Sequence, residues 1–282
     1  MYLINYHEIL PVLIKKILEV QFNIDPWIFD QLKKAETEEI NPMATDMLRQ
    51  LIENSRVAAE ERLPLCQDTG TFIFHVELGQ DVQLVGGEWT DLFQKVAAQA
   101  RQNGYLRPSI VIDPLRRQNS GDNTPASVHY QLVPGERLAI HFCAKGGGAE
   151  NKSRLYMLNP TSSVDDVLAT VIDHVKKNAS AACPPLVIGI GLGGNFESCP
   201  YLAKKALFRP LESEHPDPFY AQLENDWLQA INQTGVGVQG IGGTHTAMRV
   251  LIEAGPCHIA SLPLAINLNC HSHRHFSHIF HS

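Results

Sequence analysis

Six cysteines are the residues of this 282-residue chain best suited to chemistry. Cys66 lies in LPLCQDTG, Cys183 in ACPP just before an apolar run, and Cys270 in NLNCHSHRH. All three sit where an element begins or ends, and there a backbone can hold a thiolate out to a metal or a ligand. Cys143 and Cys257 fall within or beside strand-like text and Cys199 within helix-like text, which suits small buried thiols. No C-x-x-C pair occurs. On spacing alone, six unrelated reduced thiols is the stronger reading and a metal site the weaker one.

Two glycine clusters compete with the thiols for attention. Gly189, Gly191 and Gly194 satisfy G-x-G-x-x-G after the apolar run Leu186 to Ile190, as in a dinucleotide-binding oxidoreductase. That fold needs an acidic residue at the end of a second strand about 20 residues on. Glu212 and Glu214 lie near that distance, in the proline-rich RPLESEHPDP, which is a loop and no strand. The cluster therefore reads better as a tight strand-to-helix turn, able to hold an anion at a helix N-terminus. The second cluster is AKGGGAENKS, Ala144 to Ser153. Three bare backbone units there either present amides to a carboxylate or make a flexible surface loop, and Lys145, Asn151 and Lys152 favour the anion.

The elements that must position these groups follow from periodicity. Apolar residues recur at helical spacing at Ile9, Leu13, Ile17 and Val20, at Trp27, Phe29 and Leu32, and at Met43, Met47, Leu51 and Ile52. Asn41-Pro42 reads as a cap and first-turn proline for the third helix. Residues 1–62 thus form a helical lead-in and 63–282 a mixed α/β region of sheets packed with helices, the two being expected to make one structural unit. In that region TFIFHVELG alternates as a strand, WTDLFQKVAAQARQNGY is a helix ending near Gly104, and two strands flank the Pro134-Gly135 turn. A helix runs from Val164 to about Asn178, others cover Cys199 to Phe208 and Phe219 to Gln233, and HIASLPLAINLNC is strand-like. The fold class is mixed α/β.

Composition excludes several functions. With 44% hydrophobic and 19% charged residues the chain is an ordinary globular one. A net charge of −7 leaves no basic stripe for nucleic acid. No apolar run is long enough to span a membrane, and His7, Glu8, Lys15 and Lys16 interrupt the N-terminus, against a signal peptide. A cytoplasmic location is expected, where the cysteines stay reduced.

Taken in order, CQDTG, KGGGAENKS, ACPP with its glycine turn and LAKKAL, and a His twelve residues before the last cysteine resemble the class I, iron-sulfur fumarases. The length is similar to that of the separate α subunit of two-subunit fumarate hydratases and tartrate dehydratases. The resemblance runs from about residue 40 to residue 275. It implies a four-iron, four-sulfur (4Fe-4S) cluster held by Cys66, Cys183 and Cys270, whose fourth iron lacks a protein ligand and acts as a Lewis acid on the substrate hydroxyl. It further implies that Gln67, Arg107 in GYLRPS and Gly148 bind the dicarboxylate, and that the catalytic residues are Asp68, which helps move the proton from the substrate carbon, and His258 in PCHIAS, which bonds a carboxylate or hydroxyl oxygen. Individually each has a plain alternative: Asp68 can close an Asx turn, Arg107 can be a surface cation, and His258 a core histidine.

The reaction implied is reversible dehydration of a 2-hydroxy dicarboxylate, malate to fumarate by preference, with tartrate as the alternative. One cation is too few for two carboxylates, so a β subunit carrying the rest of the site is expected, and this chain by itself should be inactive. Two features depart from the family pattern. Ala149 stands where the family commonly has Ser, and the C-terminus holds His271, His273, His275, His278 and His281. Such a tail can take up metal, but a solvated tail, or one folded on the partner, is preferred.

Overall fold

A computed structural model describes residues 1–280. The chain begins β1 (Tyr2–Asn5), α1 (Tyr6–Phe22), α2 (Pro26–Glu38), α3 (Pro42–Glu61), β2 (Thr71–Gly79), β3 (Val82–Val85) and α4 (Trp89–Asn103). It continues with β4 (Ser127–Val133), β5 (Leu138–Lys145), the one-turn α5 (Gly147–Glu150), β6 (Arg154–Leu158), α6 (Val164–Asn178) and β7 (Leu186–Gly194). Last come α7 (Ser198–Ala206), α8 (Pro218–Asn232), β8 (Ala247–Cys257), β9 (Leu262–Asn269) and β10 (His275–Phe280). The mixed α/β class read from the sequence is what the fold has.

Local signals fix the helix ends. Ser163 and Asp166 close a reciprocal capping box at the start of α6, and Lys176 and Lys177 lie in its last turn, opposite the partial negative charge of the C-terminus. At α3, Pro42 is the first helical residue, and the Asn41 side chain accepts the Met43 N–H at 3.1 Å. The buried stripe of α3 is Ala44, Leu48 and Ile52; of the expected Met43, Met47, Leu51 and Ile52 it includes Ile52, and the other three lie one residue round from it. Met43 is 60% exposed, because the stripe with an i, i+4 repeat through a small Ala is the one that packs.

The chain forms two compact units. One comprises Met1–Asp25, Ser55–Gly147 and the segment from Arg274; the other comprises Pro26–Asn54 and Gly148–His273. The first holds a four-stranded sheet in the order β10-β5-β2-β4 and a parallel pair, β1 and β3. Its core joins Ile9, Leu13 and Ile17 of α1 and Leu92, Phe93 and Val96 of α4 to Phe72, Phe74 and Val76 of β2 and Phe142 of β5. Phe142 lies 5.1 Å from Phe74 and 5.1 Å from Phe276 between ring centroids, aromatic contacts worth about 1 kcal/mol each beyond area burial.

Two expectations change in this unit. The strands flanking Pro134-Gly135 exist but do not pair with each other, since β2 inserts between them, parallel to β4 and antiparallel to β5. The histidine-rich C-terminus is no solvated tail: His275 to Phe280 form β10, antiparallel to β5. Phe276 and Phe280 are an even number of residues apart, so they share a face and pack on the core, and that burial holds the strand. His281 lies outside the described residues.

The second unit has the sheet order β6-β9-β7-β8, with β7 parallel to β8 and antiparallel to β9. Side chains alternate along β7. Ile188 and Ile190 enter the core with Val167, Val171 and Val175 of α6 and Trp227 and Ile231 of α8. Gly189 and Gly191 face the other way, under α7. A Cβ at Gly189 would stand 2.1 Å from the Ala203 carbonyl oxygen, and one at Gly191 2.3 Å from that of Cys199. The dinucleotide reading is corrected by this contact, for the space a pyrophosphate would need is filled by helix backbone. The anion reading goes too, because the Asn195 side chain accepts the N–H groups of Glu197 and Ser198 at the start of α7.

Candidate active site

In the first unit the loop Cys66 to Gly70 is tied down from three sides. Asp68 is its centre. Oδ1 accepts from the Gly70 N–H at 3.0 Å and from the Ser109 hydroxyl at 3.0 Å, and Oδ2 accepts from the Gly147 N–H at 2.8 Å. The guanidinium of Arg274 donates to the carbonyls of Asp68 at 2.8 Å and Thr69 at 3.2 Å, and to Gln21 at 3.0 Å. Burial alone pushes the Asp68 carboxyl up, but the donors Gly147, Ser109 and Gly70 and the charge of Arg274 outweigh it and leave it below the usual carboxylate range. Asp68 is therefore ionised at neutral pH. These bonds fill three of the four acceptor positions of a carboxylate.

The plain reading of Asp68 and the anion reading of the glycine triple both hold here. Asp68 closes an Asx turn on Gly70, whose φ of +77° suits glycine, and the carboxylate held by the glycine triple is this one. The donor is Gly147 and not Gly148. Cys66 is half-buried beside it, and its Sγ accepts the Asp68 N–H at 3.4 Å and lies 3.6 Å from Gln67 Oε1. Gln67 itself is exposed. Arg107 is exposed on the loop leading to Ser109. That loop is fastened by Asn123, fully buried, which accepts the Ser109 N–H at 2.8 Å and donates to the Gly70 carbonyl at 3.2 Å.

The second unit carries Gly148, Cys183, His258 and Cys270. Cys183 is exposed in a left-handed backbone with φ of +57°, and Cys270 is half-buried with its Sγ 3.1 Å from the Ser272 hydroxyl. The structure brings these two together, because the N–H of His271 donates to the Cys183 carbonyl at 3.4 Å. Gly148 is exposed and is the first residue of the second segment of this unit. His258 is exposed in the turn between β8 and β9, so it is no core histidine. Its Nδ1 accepts the Ala260 N–H at 3.1 Å, which leaves Nε2 to carry the proton of the neutral ring and face outward.

Sequence reasoning missed Ser109, Asn123 and Arg274, the residues that fasten the Cys66 loop. Asn123 had a usable signal, since it stands in DNTP, a turn-forming string. Arg274 had none. It sits within the histidine-rich text, and only the pairing of β10 with β5 shows its place.

Five of the six cysteines divide as expected from their positions, while Cys257, expected to be buried, is exposed at the end of β8 with its Sγ donating to the Ser261 carbonyl at 3.3 Å. Cys143 and Cys199 are buried, and burial pushes the Cys199 thiol up to about 11, a poor start for a metal ligand. Cys66, Cys183 and Cys270 retain exposure, and the Cys66 sulfur accepts the Asp68 N–H. Among the described residues no three His, Cys, Asp or Glu side chains converge as ligands of one metal ion. A cluster makes a different demand, since its thiolates each bind a different iron. Cys66, Cys183 and Cys270 are of the ligand type and number that a three-thiolate cluster needs.

The chain matches the fumarate hydratase (Fumerase) family over residues 12–278. It is 32% identical over 275 residues to a Methanocaldococcus jannaschii protein named "Putative L(+)-tartrate dehydratase subunit alpha", covering 95% of each chain. It is 30% identical to the Escherichia coli L(+)-tartrate dehydratase subunit alpha and 29% to that of Shigella boydii, each over 88% of this chain and 82% of the relative. Among the described residues no helix is long and apolar enough to cross a membrane. The chain therefore belongs to the fumarate hydratase (Fumerase) family and is a hydro-lyase of the fumarate hydratase and tartrate dehydratase kind.

Proposed function

We propose that this chain is the α subunit of a two-subunit, cytoplasmic iron-sulfur hydro-lyase that reversibly dehydrates a 2-hydroxy dicarboxylate, malate to fumarate. The observation that carries the reading is the Cys66 loop. Three separate sequence motifs, CQDTG, LRPS and KGGG, meet there through Asp68, Ser109 and Gly147. A loop fastened so heavily is fit to hold a ligand and a reacting group in register.

Cys66, Cys183 and Cys270 are the three proposed thiolates. The cluster they would hold supplies a Lewis-acidic iron for the substrate hydroxyl. Arg107, exposed and preceding the fastened Ser109, would pair with one substrate carboxylate in a fork, with Gln67 and the Gly148 N–H as further donors. His258 presents Nε2–H as a donor to an oxygen. Asp68, held ionised with one acceptor position open, would take a proton donated by substrate or by a neighbouring group.

The shortage of cations supports a β subunit, as do the relatives named as α subunits. Exposed apolar side chains flank the proposed binding residues. Tyr105 and Leu115 on either side of Arg107 are 94% and 91% exposed, and Ile259 beside His258 is 93% exposed. Exposed apolar side chains of that size beside the proposed binding residues are ones a β subunit would cover.

Tartrate is the second reading, favoured by the names of the relatives. The test is an anaerobic assay of the chain with its β subunit against fumarate, malate and tartrate. Fumarate hydration with a kcat/KM well above that for tartrate supports the first reading, the reverse order supports the second, and neither activity sinks both.

A further inference from the structure

The peptide between Cys183 and Pro184 is held in an unusual way. Pro184 and Pro185 have no N–H, so this stretch can be gripped only through its carbonyls. Both carbonyls are gripped twice. The Cys183 oxygen faces the His271 N–H at 3.4 Å and His271 Nδ1 at 3.1 Å. The Pro184 oxygen takes the Gln239 N–H at 2.9 Å and Gln239 Nε2 at 2.8 Å. Gln239 Nε2 also lies 3.4 Å from His271 Nδ1. A carbonyl can only accept, so Nδ1 carries the ring proton toward Cys183, and the longer Gln239 contact is mere proximity.

Four donors on two consecutive carbonyls fill both lone pairs of each and fix the plane from which the Cys183 side chain departs. The grip is anchored at both ends. His271 directly follows Cys270, the first residue after β9 ends at Asn269. Gln239 stands in a loop whose Thr244 donates its N–H at 2.9 Å and its hydroxyl at 3.1 Å to the buried Glu39 carboxylate. Gln239 and Cys183 both adopt left-handed backbone, at φ of +51° and +57°, a conformation that persists in such residues only where surroundings impose it.

We infer that His271 and Gln239 are positioning residues that clamp the Cys183–Pro184 carbonyls and so set the Cys183 thiol beside Cys270 for its role as a ligand. This rests on the three-thiolate reading above. Outer partners that orient a metal ligand are worth about 10- to 100-fold in metal retention.

The test has two arms on the full chain. In the apo chain, amide hydrogen exchange reads the clamp without any metal. Gln239→Gly, which suits the left-handed backbone but deletes the side chain, lowers protection of the His271 N–H at least about tenfold while β2 amides stay unchanged. After anaerobic reconstitution, chelator-driven iron loss is at least about tenfold faster in Gln239→Gly and His271→Ala than in wild type. His271→Asn, whose amide can reach where Nδ1 donates, restores slow loss, and His271→Gln does not. Unchanged protection overturns the clamp. Lost protection with unchanged iron loss, or failure of the Asn rescue, overturns its role in positioning Cys183. Wild type that takes up no iron overturns the cluster reading itself, before any variant is compared.

Discussion

At Gly189 and Gly191 an added Cβ would stand 2.1 and 2.3 Å from carbonyl oxygens of α7. At Gly146 it would meet Asp68 Oδ2 at 3.4 Å and Arg274 Nη2 at 3.7 Å, at Gly147 Asp68 Oδ2 at 3.7 Å, and at Gly148 the Ala181 oxygen at 3.5 Å. One cluster is glycine because a helix backbone occupies the side-chain space. The other has room to spare, and its use lies in its amides, one of which holds Asp68. The motif that matches a nucleotide pattern is thus packing, while the plainer run of three holds the Asp68 carboxylate through Gly147. What separates them is what stands where the side chain would be, and periodicity cannot report that.

The comparison can be broken most sharply by adding the methyl groups. Gly191→Ala must push backbone against backbone, and a loss of about 3 kcal/mol or more is expected in chemical denaturation. A loss under about 1 kcal/mol would mean α7 can lift away, and the packing account would be wrong. Asp68→Asn comes next. Three donors aim at a charged acceptor that the amide only half replaces, so about 2 kcal/mol should go at neutral pH.

The acid dependence sharpens the same point. The folded Asp68 carboxyl is held below its unfolded value of about 3.9. Its contribution is therefore present above that value and is lost as pH falls through the folded one. Wild type and Asp68→Asn should converge in stability on acidification, and curves that stay parallel would show that the hydrogen bonds do not depend on the charge. Smallest of all, Gly148→Ala should change stability by less than about 0.5 kcal/mol, because its methyl makes only an ordinary contact. A loss as large as that of Gly191→Ala would erase the distinction between the clusters.

Much of the fold was legible where signals are local. The capping box at Ser163, the cap at Asn41 and the stop at Gly104 are short-range chemistry, and each helix begins or ends there. Long-range pairing was not legible. Nothing in the text around Pro134-Gly135 says that β2 will lie between its flanking strands, and nothing local marks His275 to Phe280 as the partner of β5. The site divides in the same way. Ordered motifs named Cys66, Asp68 and the glycine run, while Ser109, Asn123 and Arg274 act through folds of the chain that bring residue 274 to residue 68. His271 was visible only as one histidine among several, and its grip on Cys183 depends on the end of β9 meeting the start of β7.

Cys66, Cys183 and Cys270, and no other cysteines, are the proposed ligands of the cluster. Anaerobic iron and sulfide analysis with electron paramagnetic resonance, after reconstitution, tests that assignment on wild type, on each of the three Cys→Ala variants and on Cys199→Ala. About four irons per chain in wild type and Cys199→Ala, falling away in each of the three, is the predicted result. Iron retained in any of the three, or never taken up by wild type, would contradict it.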